Sequence, residues 1–122
     1  MPGIRVLIAD DEPNIVVSLQ FMLKREGFEV LIARTGPEAL EVIQRERPAL
    51  VLLDGMMPGM SGFAVCEAVR ADPDLRDTRI LMLTAKGRET DIARGQGAGV
   101  DAYVTKPFST RDLIVQIRDM LA

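Results

Sequence analysis

The stretch Leu50-Val51-Leu52-Leu53-Asp54-Gly55-Met56-Met57-Pro58 decides how the rest of the chain is read. Four apolar residues run unbroken into one carboxylate, and a loop of Gly, Met and Pro follows. An apolar run without polar alternation marks a strand covered on both faces. Asp54 then stands where a central strand gives way to a loop. In open parallel sheets, ligands bind at that carboxyl edge.

The pattern repeats on both sides. Residues 5–9 form a first buried strand, apolar from Val6 on, that ends at Asp10-Asp11-Glu12, and Pro13 suits the first turn of a helix that Asp11 or Glu12 could cap. Ile15, Leu19, Met22 and Leu23 fall at helical spacing until Gly27 stops the helix. Residues 28–33 read as a second strand, and Thr35-Gly36-Pro37-Glu38 opens a second helix that buries Ala39, Leu40 and Ile43. Past the Asp54 loop, Ser61 caps a helix carrying Phe63, Cys66 and Val69, which Asp72-Pro73-Asp74 breaks. Residues 80–83 are the fourth strand and lead into Thr84-Ala85-Lys86. Residues 89–97 make a poor helix, because Gly95 and Gly97 each cost about 1 kcal/mol against Ala. Residues 102–105 are the fifth strand, ending at Lys106-Pro107. Ser109-Thr110-Arg111-Asp112 then resembles a capping box for a last helix that buries Leu113, Ile114, Ile117 and Leu121.

Strand and helix thus alternate about five times, which predicts an α/β domain with a doubly wound parallel sheet. The first, third and fourth strands are the most continuously apolar and suit the centre; the second and fifth suit the edges. The strand order that follows is 2-1-3-4-5, the flavodoxin-like arrangement, with its switch point between the first and third strands.

Composition narrows the chemistry. The 122 residues are 48% apolar with a net charge of −3, enough for one ordinary core and without a basic patch for nucleic acid. No apolar run approaches the roughly 20 residues that span a bilayer, the start of the chain has no signal-peptide pattern, and the single Cys66 excludes an internal disulfide. The expectation is a cytoplasmic protein. The chain has no histidine, which removes His-based acid–base catalysis and most zinc or iron sites. Any metal must be a hard ion held by oxygen.

Parallel strands deliver their C-terminal ends to one edge. Asp10 and Asp11 come from the first, Asp54 from the third, Thr84 from the fourth and Lys106 from the fifth. At about 4 Å and an effective dielectric near 20, each pair of like charges costs about 4 kcal/mol. A cluster of three carboxylates therefore needs cations. Lys106 is one, and Mg2+ fits best as the other, with Mn2+ as the alternative. With a metal in place the parts suit phosphoryl transfer: a carboxylate nucleophile, a divalent ion, a lysine and a hydroxyl.

These motifs resemble the receiver domain of two-component response regulators along the whole chain. The resemblance rests on Asp10-Asp11 after the first strand, Asp54 with Met57-Pro58 and Gly62, Thr84-Ala85 after the fourth, and Lys106-Pro107-Phe108 after the fifth. It implies that Asp54 accepts a phosphoryl group from a histidine kinase or histidine phosphotransfer protein. It implies that Asp11 ligates Mg2+ directly, that Asp10 does so mainly through water, and that the Met56 carbonyl completes the protein ligands. Thr84 would hydrogen-bond the phosphoryl group, Lys106 would pair with it through a strand end that carries a cis Lys106–Pro107 bond, and Tyr103 would be the aromatic switch. The implied output is a surface change around residues 89–97, the fifth strand and the last helix. That surface would control an effector domain or partner, with phosphorylation-linked dimerisation as a further possibility. The reading is a single domain over residues 1–122, free-standing or cut from a longer regulator, and a signalling module whose only catalysis is its own phosphorylation and dephosphorylation.

Some positions depart from the family pattern. Gly55 follows the acceptor where a larger apolar residue is usual, which suggests a looser loop. Met56 and Lys86 flank the phosphoryl position, where bulky Met56 is expected to screen attacking water and Lys86 to approach the phosphoryl oxygens. Two other classes compete with this reading. An aspartyl-phosphate hydrolase needs a general acid two residues after the nucleophile, where this chain has Met56. A flavodoxin-like electron carrier needs a hydroxyl-rich phosphate loop after the first strand, where Asp10-Asp11-Glu12 would repel FMN.

Overall fold

The computed structural model describes residues 3–85 and 99–122. Five parallel strands form one sheet in the order β2-β1-β3-β4-β5. They are β1 (Arg5–Ala9), β2 (Glu29–Ala33), β3 (Leu50–Asp54), β4 (Arg79–Ala85) and β5 (Ala102–Lys106). Helices α1 (Pro13–Arg25), α2 (Gly36–Glu46), α3 (Gly62–Ala71) and α4 (Thr110–Leu121) connect or follow them. The weak helix expected over 89–97 and the side chain of Lys86 lie outside the described residues.

The sheet divides the core in two. On one face β1, β3 and β4 present Leu7, Val51, Leu53, Ile80 and Met82 to Ala39 and Ile43 of α2 and Phe63, Cys66 and Val69 of α3. On the other they present Val6, Ile8, Leu50, Leu52, Leu81 and Leu83 to Val16, Leu19 and Leu23 of α1 and Leu113 and Ile117 of α4. Every residue of β3 is buried, whereas β2 and β5 are mostly half-exposed, as expected for edges. None of the described helices is long and apolar enough to cross a membrane.

Three helix starts follow local chemistry. Thr35, Ser61 and Ser109 each accept a hydrogen bond on the side-chain oxygen from the backbone N–H three residues on. Helix α1 differs: Glu12 stands at the cap position with no side-chain cap bond. Its carboxylate is drawn across the sheet edge instead, to Lys106.

At the far end of the sheet, Arg70 in the last turn of α3 ties four segments together. Its Nε donates to the Gly99 carbonyl at 2.9 Å, Nη1 to the carbonyls of Arg76 and Thr78 at 2.8 and 2.6 Å, and Nη2 to Asp101 at 2.8 Å. Asp101 also accepts the Ile80 N–H at 2.7 Å, which joins the starts of β4 and β5. Gly99 is required there on two counts: its φ is +93°, and a Cβ would stand 2.8 Å from Arg70 Cγ.

Candidate functional site

Strand register builds the site. Ala9 pairs with Leu53, so Asp10 and Asp54, the next residue on each strand, emerge side by side. Asp10 is pinned from the other flank by its own N–H, which donates to the Ala33 carbonyl of β2 at 3.1 Å. On the far side Asp54 pairs with Leu83, which places Thr84 one residue beyond, buried at the end of β4. Ala85 pairs with Lys106, and the lysine reaches back over the sheet edge to the acids of β1 and β3.

The charges meet around one ammonium. Lys106 Nζ lies 2.8 Å from Asp10 Oδ2, 3.1 Å from Glu12 Oε1 and 3.7 Å from Asp54 Oδ2. The first two are hydrogen bonds; the third is an ion pair beyond hydrogen-bond reach. Asp10 uses its other oxygen, Oδ1, to accept the Glu12 N–H at 2.9 Å. Asp54 Oδ1 accepts the Met56 N–H at 3.1 Å, which leaves Oδ2 without a hydrogen bond among the described residues.

Burial and neighbouring charge together set the titration of Asp54 and Lys106. The Asp54 carboxyl is pushed from 3.8 up to about 6, first by burial; the Met56 N–H opposes that rise, the Asp10 charge adds to it, Lys106 opposes it, and Asp11 adds again. Burial alone would pull the Lys106 ammonium down, but Asp10, Asp54 and Glu12 outweigh it and hold it above the ordinary lysine range. Lys106 is therefore a permanent cation beside a carboxylate that is reluctant to ionise.

Carboxylate oxygens of Asp10, Glu12 and Asp54 lie within 4.8 Å of one another. An all-oxygen donor set, two of its members buried, fits a hard divalent cation, which would also relieve the like-charge contact between Asp10 and Asp54.

The loop after β3 is clasped rather than loose. At Gly36 a Cβ would stand 2.1 Å from the Met60 carbonyl oxygen, and the Gly36 N–H donates to the Pro58 carbonyl at 3.1 Å, so the loop rests on the first turn of α2. At Gly62 a Cβ would stand 2.2 Å from the carbonyl oxygen of Asp54, while the Gly62 N–H donates to the Gly55 carbonyl at 3.1 Å. Gly55 is buried, and a Cβ would meet Phe63 at 3.4 Å and the Met82 sulfur at 3.5 Å. The Phe63 ring occupies the space that a larger residue at position 55 would take. The Gly55 N–H donates to the Leu83 carbonyl at 3.2 Å.

Of the residues singled out from sequence, Asp10, Asp54 and Lys106 converge, and Thr84 stands at the same sheet edge. Asp11 is exposed and outside the tight trio, although its charge is felt at Asp54. Met56 gives its N–H to Asp54 and exposes its side chain. Tyr103 is half-buried on the edge strand β5, packed against the core shared with α2 and α3, and the Lys106–Pro107 bond is cis. Glu12 is the member that sequence reasoning misses, since its position suits a helix cap within an acidic run. Its signal was available as a third acid two residues beyond Asp10, at a strand end already crowded with acids.

The family model described as "Response regulator receiver domain" matches residues 6–118. Among solved structures, a protein from Chloroflexus aurantiacus determined as a candidate response regulator is 34% identical, with a TM-score of 0.93 over 99% of this chain and 98% of that one. The chemotaxis response regulator CheY4 of Vibrio cholerae is 32% identical, with a TM-score of 0.89 over 95% of this chain and 97% of its own. The receiver domain of a sensor histidine kinase from Pseudomonas aeruginosa is 26% identical, with a TM-score of 0.90 over 98% of each chain. That structure is described with a magnesium ion coordinated in its active-site cleft.

Proposed function

The chain belongs to the response-regulator receiver family, the phosphorylation-activated switches of two-component signalling, and from that premise we propose that Asp54 is its phosphoryl acceptor. The observation that carries this is the meeting of Asp10, Asp54 and Lys106 around one ammonium, at 2.8 Å from Asp10 and 3.7 Å from Asp54. Asp54 has one oxygen fixed by the Met56 N–H and the other without a hydrogen bond among the described residues. In the proposed step that second oxygen attacks the phosphorus of a phosphohistidine on a partner kinase or phosphotransfer protein. A P–O bond forms, the P–N bond breaks, and the departing imidazole nitrogen takes a proton from water. Lys106 balances charge on the transferring oxygens, and the Thr84 hydroxyl offers a donor on the β4 side.

The proposed ligands of a divalent ion are Asp10, Asp54 and the Met56 carbonyl, with the exposed Asp11 turning in as the third carboxylate in place of Glu12, which is engaged by Lys106. Mg2+ bound there would supply positive charge to the transferring phosphoryl oxygens. The magnesium described in the cleft of the Pseudomonas aeruginosa receiver domain supports that choice, with Mn2+ as an alternative. Met56 stands two residues past the acceptor and has no proton to give a leaving group. Its position supports a slow switch, which controls its own phosphorylation and dephosphorylation, over a turnover hydrolase.

Charge added at Asp54 would draw Thr84 and Lys106 and shift the surface near Tyr103 toward a state that an effector domain or partner reads. The test is incubation with acetyl phosphate and Mg2+, followed by mass spectrometry of intact protein and peptides. One phosphoryl group per chain on the Asp54 peptide, absent without Mg2+ and absent in Asp54→Asn, supports the reading. Modification elsewhere, or continuous turnover of phosphoesters, overturns it.

A further inference from the structure

Of the three acids that touch the Lys106 ammonium, Glu12 is the exposed one, with 59% of its side chain open, while Asp10 is fully buried. Both hold the same ammonium. Asp10, Glu12 and Lys106 close a ring: Asp10 Oδ1 accepts the Glu12 N–H at 2.9 Å, Glu12 Oε1 accepts from Lys106 Nζ at 3.1 Å, and Nζ donates to Asp10 Oδ2 at 2.8 Å. The backbone bond sets where Glu12 stands, at the cap position of α1, and its carboxylate gives the helix nothing. Asp54, the residue to be modified, keeps only the longer contact of 3.7 Å.

Resting on the assignment of Asp54 above, we propose that Glu12 is a positioning residue that parks the Lys106 ammonium beside Asp10 while Asp54 is unmodified. Lys106 then has a fixed partner and a releasable one. Asp10 cannot leave, because its oxygens and its N–H are all held at the sheet edge. Glu12 can, because a mostly exposed ion pair is worth little in water. A phosphoryl group brings up to two negative charges and three acceptor oxygens, and so it displaces one exposed carboxylate from the ammonium. The strength of the Glu12 contact therefore sets how readily Lys106 commits to the modified acceptor. Substituting Glu12 should favour the modified state by acting through Lys106 rather than through the acceptor itself.

A double-mutant cycle tests this on the intact chain. Affinity for beryllofluoride, a phosphoryl mimic, is measured by calorimetric titration at fixed Mg2+ for the wild type, Glu12→Gln, Lys106→Met and the double variant. Glu12→Gln is expected to bind about two- to fivefold tighter, the range of one exposed ion pair, and to have no effect in the Lys106→Met background. An equal gain in that background means a general charge effect and overturns the proposal, as does an unchanged or weaker Glu12→Gln. Titration with Mg2+ alone gives a second readout: a loss of about tenfold or more in Glu12→Gln makes Glu12 a metal ligand and also overturns it. Should Lys106→Met fail to fold, hydrogen exchange at the Lys106 ammonium, followed by NMR, decides from Glu12→Gln alone. Faster exchange is expected there, and an unchanged rate refutes the parking. The underlying assignment fails differently, by a wild type that does not bind beryllofluoride or an Asp54→Asn variant that still does, and the Glu12 proposal falls with it.

Discussion

Replacing Asp54 with Asn should make the protein more stable, and the gain should depend on pH. The Asp54 carboxyl is lifted from 3.8 to about 6, mainly by burial, which amounts to about 3 kcal/mol against its ionised form at neutral pH. Its folded value lies above its unfolded one, so between about pH 4 and 6 the folded state binds the proton more readily. Stability therefore falls as pH rises through that window, and the penalty is complete above it. Asn keeps the shape and can still accept the Met56 N–H; the value of about 6 already contains the attraction to Lys106, so the net gain should approach that penalty, about 2–3 kcal/mol. For a domain of this size that raises the melting temperature by about 5–10 °C at pH 8. Melts of both proteins from pH 4 to pH 8 measure it. The gap between the two curves should shrink toward pH 4, where folded Asp54 is protonated, close below the unfolded value of 3.8, and widen as folded Asp54 ionises. Mg2+ at a hundredfold over its Kd should then return about 2.7 kcal/mol to the wild type and less to the variant. An Asp54→Asn protein that melts at or below the wild type at pH 8, or a gap that does not change with pH, refutes the claim that this acid is held at a cost in a crowded pocket.

Four further outcomes are expected. Lys106→Met leaves Asp10 buried without its cation and should cost about 3 kcal/mol in urea unfolding at pH 7.5. Gly62→Ala forces a methyl to within 2.2 Å of the Asp54 carbonyl oxygen, where backbone has no room to give; about 2–3 kcal/mol should be lost, together with beryllofluoride binding. Arg70→Ala removes four hydrogen bonds at the opposite end of the sheet and should cost about 3 kcal/mol, with beryllofluoride affinity unchanged in the folded protein. Met56→Asn trades an exposed apolar side chain beside the acceptor for one that can orient water, so single-turnover dephosphorylation should be faster, and an unchanged rate removes Met56 from control of phosphoryl lifetime.

What could be read in advance was local or periodic. Unbroken apolar runs gave the strands, their relative polarity gave the centre and the edges, and Thr35, Ser61 and Ser109 announced three helix starts within four residues of chain. Parallel register then brought Asp10, Asp54 and Lys106 together as inferred. What escaped depended on partners far away in sequence. Glu12 looks like a helix cap until Lys106, 94 residues on, claims its carboxylate. Arg70 looks like an exposed cation in a last turn until the starts of β4 and β5 fold against it. Gly55 suggested a slack loop, and only the packed structure places the Phe63 ring in the vacant space.

The contact between Asp10 and Lys106 joins residues 96 positions apart. On the ribosome, Asp10, Asp11 and Asp54 are all made well before the lysine that neutralises them. A nascent chain that stops short of Lys106 holds the acids without their built-in counterion, and β4 has no outer neighbour. The pocket in which Asp10 and Asp54 share one ammonium is complete only once β5 has been translated and has docked beside β4.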